Sequence, residues 1–227
     1  MRTFSHPGYK RFLLSVGCLL SIHFTALFFL TLFRLVFFFS ANYDFPDQEH
    51  VGFMSIWPAF IRGVWFDNVI ACYILLIPLV AVSISALFYY GKILWNVTCI
   101  FFSLFYGIVL LVTAANIPYF QYFFKIINSS VFNWFGYMNT TAGMVFGETS
   151  YYPPLIGFLL TLVLFIWLMR RLIRHFQRLL NTKNPSVFWL DRIYIFLTAG
   201  ICIGLCLFGI RGRTGYNPIK VSAAYYC

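Results

Sequence analysis

The sequence predicts an all-α integral membrane protein of five transmembrane helices, with its N-terminus inside and its C-terminus outside. Three observations predict this. First, 61% of the 227 residues are hydrophobic and 10% are charged, with 29 phenylalanines and a mean hydropathy of +0.82. Second, whole segments are apolar on every face and reach the length needed for a hydrocarbon core of about 30 Å. Third, the basic residues gather at alternate ends of those segments, as cytoplasmic retention of Lys and Arg requires. An ordinary soluble domain is excluded. The net charge of +10 points to anionic phospholipid and not to nucleic acid, because the bases flank apolar segments instead of covering a polar domain.

The elements follow in order. Arg2, Lys10 and Arg11 form a basic, cytoplasmic start, and residues 12–33 form the first span. His23 lies in its middle and reads as a hydrogen-bonded packing residue, with a proton relay as the alternative. Arg34 follows at the outer boundary, where it either snorkels to the interface or meets a partner. Residues 41–67 form an acidic outer loop with Trp57 and Trp65 at interfacial depth, and residues 68–90 form the second span, which Pro78 kinks. Tyr89-Tyr90-Gly91-Lys92 is the inner turn.

Residues 94–117 form the third span, with Asn96 and Asn116 near its ends. The connection 118–154 is long and aromatic, so short interfacial helices are expected in it. Asn128-Ser129-Ser130 and Asn139-Thr140-Thr141 match a glycosylation sequon, a frequent chance match. Residues 151–169 form the fourth span and residues 193–210 the fifth. In the fifth, Gly200 and Gly204 stand four apart, which predicts close packing on another helix of the chain, with dimerisation as the alternative.

The densest charge lies between the last two spans, in Met169-Arg170-Arg171-Leu172-Ile173-Arg174-His175-Phe176-Gln177-Arg178. Its arginines fall within an arc of roughly 100°. Leu172, Ile173, Phe176, Leu179 and Leu180 occupy the opposite arc, so an amphipathic helix continuing from the fourth span and lying on the inner lipid surface is expected, with a solvated basic inner loop as the alternative. The charge count agrees with this topology. Ten bases and one acid, Asp191, fall inside, whereas five bases and five acids fall outside, and Arg34 stands at the boundary.

Chemistry is sparse. Five of the six cysteines lie within apolar segments with no CxxC spacing, so they read as packing residues and not as a disulfide framework or metal site. No catalytic residues and no metal ligands are expected in this chain, and no spacing resembles HExxH or GxSxG. Glu148-Thr149-Ser150 reads as a loop hydrogen-bonding cluster. Arg34 and Asp67 share a depth at the ends of two spans, which suggests an orienting charge pair. Arg211 and Arg213, just past the fifth span, offer forked donors for a phosphate headgroup, with ordinary interfacial anchoring as the alternative.

Gly63-Val64-Trp65-Phe66-Asp67 is similar to the G-x-x-F-D start of the second span in lipoteichoic-acid-synthase-like proteins. The connection from Asn116-Ile117-Pro118-Tyr119-Phe120-Gln121-Tyr122-Phe123 to Gly147-Glu148-Thr149-Ser150-Tyr151 resembles the same family. So do Gly209-Ile210-Arg211-Gly212-Arg213, Asn217-Pro218-Ile219 and Ala223-Ala224-Tyr225-Tyr226. The resemblance implies a five-span, N-inside domain in a bacterial plasma membrane that precedes an extracytoplasmic catalytic domain of the alkaline phosphatase/sulfatase superfamily. Such enzymes move phosphoglycerol-type groups from phospholipid, or cleave related esters, with a threonine nucleophile and a divalent metal, usually manganese. The nucleophile and the metal ligands have no counterpart in this chain, so the Mn2+ is expected only in the missing catalytic domain, on a downstream or partner segment.

The sequence-level expectation is therefore a membrane-anchoring and lipid-presenting domain, with Arg211, Arg213 and Glu148 contacting a lipid headgroup or the catalytic domain. The alternatives are a small transporter or channel component, motivated by Pro78 and the polar residues in the spans, and an intramembrane enzyme using His23 or Glu148.

Overall fold

The computed structural model describes residues 7–43, 53–88, 92–123, 125–128, 143, 147, 149–180 and 189–211. Among these residues the fold is entirely helical: α1 (Pro7–Tyr43), α2 (Phe53–Phe88), α3 (Lys92–Phe123), a 3-10 turn (Thr149–Tyr151), α4 (Tyr152–Leu180) and α5 (Trp189–Arg211). All five α-helices are long and apolar enough to cross a membrane. Several of their serine and threonine hydroxyls are satisfied within their own helices. In α1, Ser15, Ser21, Thr25 and Thr31 each donate to the carbonyl four residues back, at 2.8–3.0 Å. Polar side chains so placed add no unpaired group to an apolar environment.

The helices overrun the expected spans. With 37 residues, α1 is about 55 Å long, well beyond the hydrocarbon thickness. The expected outer loop 41–67 is corrected: α2 starts at Phe53 and carries Trp57, Arg62, Trp65 and Asp67 on a helix that continues through Pro58 and Pro78. The third span is also longer than expected. Helix α3 runs through Pro118 to Phe123, because the residues beyond that proline are held by α1. Phe120 meets Phe37 edge-on at 5.1 Å, and Gln121 Nε2 donates to Ser40 Oγ at 2.8 Å. The chain then folds back so that Asn116 Oδ1 accepts the Ile127 backbone N–H at 2.9 Å, which satisfies that intramembrane amide. The interfacial helices expected in 118–154 lie largely outside the described residues, as do the inner turn at 89–91 and the Asn139 sequon.

Helix α1 packs against each of the other four helices. An aromatic column ties three of them together: Phe29 of α1 meets Phe165 of α4 at 6.1 Å, Phe165 meets Tyr106 of α3 at 5.4 Å, and Tyr106 stacks on Phe102 at 5.6 Å. With little hydrophobic drive between helices in lipid, such dispersion contacts carry much of the association.

Helix α4 continues without interruption through the basic stretch. The first part of its apolar arc packs on the bundle and not on lipid, while Leu179 stays exposed. Ile173 is buried, Leu172 and Phe176 pack on the core, and Gly17 of α1 lies beside the Phe176 ring. Arg170, Arg171, Arg174 and Arg178 line the exposed face, with the Arg171 guanidinium 5.3 Å from the Trp167 ring. Asp191, expected at the end of the inner loop, is instead fully buried in the first turn of α5, where the helix dipole favours an acid.

The packing within the chain expected at Gly200 and Gly204 is also corrected. Both glycines are exposed, and a Cβ at either would meet nothing within 4 Å. The packed line of α5 runs through Asp191, Ile195, Ala199 and Cys206. One helical step of about 100° turns Gly200 away from it.

Candidate functional site

A line of polar side chains runs where α1, α2 and α5 meet. Its upper member is Arg34. From α1 it reaches α2 and grips Asp67 with two hydrogen bonds, Nη2 to Oδ1 at 2.7 Å and Nε to Oδ2 at 3.2 Å. The side chains are 33% and 13% exposed, so the pair is substantially desolvated and its forked geometry fixes the helices relative to each other. Gly63 makes room for it. A Cβ added at Gly63 would overlap the Arg34 guanidinium, so residue 63 supplies space and residue 67, one turn later, supplies charge.

Below the pair, His23 Nε2 and Asn68 Oδ1 lie 3.2 Å apart, which makes that ring nitrogen the donor. His23 is buried and its Nδ1 has no partner. On the other side, Cys72 Sγ makes a weak contact to Asn68 Oδ1 at 3.9 Å, and Cys206 Sγ of α5 donates to the Cys72 carbonyl at 3.3 Å. Gly209 closes the seam: a Cβ there would sit 2.7 Å from Cys72 Sγ and 3.8 Å from Asn68 Nδ2. This is the close helix approach that Gly200 and Gly204 do not make.

Arg34 and Asp67 satisfy each other, and among the described residues no three His, Cys, Asp or Glu side chains gather as metal ligands would. Neither protein-family models, curated proteins nor solved structures match this chain.

The sequence-level site residues fall as follows. Arg34 and Asp67 are brought together. Arg211 is exposed on the last turn of α5, where a cation complements the helix dipole, two residues beyond the contact of Gly209 with α2. Arg213 and Glu148 lie outside the described residues, as does Cys227. Sequence reasoning missed the contact between His23 and Asn68, the role of Gly209, and the meeting of Cys72 with Cys206. The available signal was Asn68 directly after Asp67, since an amide inside an apolar helix calls for a partner.

Proposed function

We propose that this chain is the membrane-anchoring and lipid-presenting domain of a bacterial cell-envelope phosphoglycerol transferase or sulfatase-like hydrolase. On this reading the N-terminus and the basic face of α4 lie in the cytoplasm against anionic phospholipid, and α5 exits outward through Arg211 and Arg213. A catalytic domain of the alkaline phosphatase/sulfatase type works above that exit, carrying the threonine nucleophile and the divalent metal. Arg211 and Arg213 hold the anionic headgroup for it through forked hydrogen bonds.

The observation that carries the reading is the joining of Gly63 and Asp67 by Arg34. One of the segments that resemble lipoteichoic-acid-synthase-like proteins is thereby the one that joins α1 to α2. Gly209, from the third resembling segment, seats α5 against the same helix. The test is turnover of a phosphatidylglycerol-type substrate by the full-length protein in proteoliposomes. Replacing Arg211 and Arg213 with alanine lowers turnover about tenfold or more, the worth of one lost charge-assisted bond. Unchanged turnover removes the role assigned to them.

A second reading, a small transport component, draws on the buried contact of His23 with Asn68. Solute or ion flux in proteoliposomes holding only this chain would favour it.

A further inference from the structure

Cysteines 72 and 206 are separated by 134 positions and meet at the centre of the α2–α5 contact. Both are buried, at 7% and 6% exposure. Cys206 Sγ lies 3.3 Å from the Cys72 carbonyl. Gly209, one turn after Cys206, leaves the space that Cys72 Sγ occupies. With the Cys206 thiol against the Cys72 backbone and the Cys72 thiol against Gly209, one turn after Cys206, the two side chains lie on facing surfaces of helices held close together, the arrangement a disulfide requires.

We propose that Cys72 and Cys206 form an intramembrane dithiol site that closes to a disulfide and pins α5 to α2, independently of the function proposed above. The oxidant is dissolved dioxygen, a small apolar molecule that enters hydrocarbon. Each thiol gives up its hydrogen and one S–S bond forms. The two electrons and two protons pass to dioxygen, which is reduced to hydrogen peroxide. Glutathione-type reductants are charged and must bring a thiolate to the sulfur, so burial among apolar helices shields the closed form. The bond would fix the last turn of α5, and with it Arg211, against the helix that carries Asp67 and Asn68.

The test uses the protein in lipid nanodiscs, oxidised by dioxygen with a copper–phenanthroline catalyst. Free thiols are blocked with one alkylating tag under denaturing conditions, and the protein is then reduced and labelled with a second tag. Cys72 and Cys206 are expected to carry the second tag together, at a level about tenfold above Cys99. Without reduction, a linked α2–α5 peptide is expected, and in Cys206→Ser, residue Cys72 takes the first tag. First-tag labelling of Cys72 at the level of Cys99, or a bridge that survives Cys206→Ser, overturns the proposal. The wild-type labelling alone is decisive should the variant fail to fold.

Discussion

The guanidinium of Arg34 occupies the place where a Cβ of residue 63 would stand. The side chain reaches Asp67 only because glycine leaves that volume empty. A Gly63→Ala protein moves the flexible end of Arg34 and loses the two-bond grip on the carboxylate. Its alanine raises helix propensity by up to about 1 kcal/mol, which offsets part of the loss. A lower midpoint of thermal unfolding in detergent is expected. An unchanged or raised midpoint would show that the cradle has no energetic role.

Asp67 and Arg34 are coupled. Replacing Asp67 alone with alanine leaves a half-desolvated guanidinium and costs on the order of 1–3 kcal/mol. Replacing both with apolar residues of similar size costs less than the single change, because no charge is then stranded. A double-mutant cycle on unfolding free energy measures this directly, and additive effects would contradict it.

Glycines 200, 204 and 209 share one helix and have opposite fates. Gly209→Val forces α5 away from Cys72 and lowers stability by about 1–3 kcal/mol. Gly200→Ala, facing open space, is neutral or stabilising by up to about 1 kcal/mol. Thermal unfolding of the two variants side by side checks the contrast.

That contrast also shows what was legible beforehand. Five apolar segments and their alternating basic ends are written in composition and spacing, and the shared depth of Arg34 and Asp67 followed from them. Which face of α5 would pack was not legible. An all-round apolar helix has no polar stripe to mark its outside, so the Gly200–Gly204 spacing pointed the wrong way. The helical turns of α2 between Phe53 and Asp67 were hidden because the acids before them, Asp44, Asp47 and Glu49, together with Trp57 and Trp65 made the whole stretch read as a loop. Cys72 and Cys206 looked like separate packing residues because no local pattern links positions so far apart.

The basic face of α4 provides a further prediction. Leu172, Ile173 and Phe176 of its apolar side pack on the bundle, so Arg170, Arg171, Arg174 and Arg178 are available for headgroup phosphates without unfolding anything. Changing all four to glutamine removes about 1 kcal/mol of attraction per base to an anionic surface. The stabilisation by phosphatidylglycerol over phosphatidylcholine nanodiscs is expected to vanish, while the unfolding midpoint in neutral lipid stays put. High salt mimics the substitution in the wild type.

The proposed role depends on the side of the membrane where α5 emerges. The direct measurement is a pair of reporter fusions after Tyr226, one to alkaline phosphatase and one to a green fluorescent protein, in a bacterial host. An outward end predicts active phosphatase and a dark fluorescent fusion. A fluorescent fusion with inactive phosphatase would put the end in the cytoplasm and leave no tether for an external catalyst.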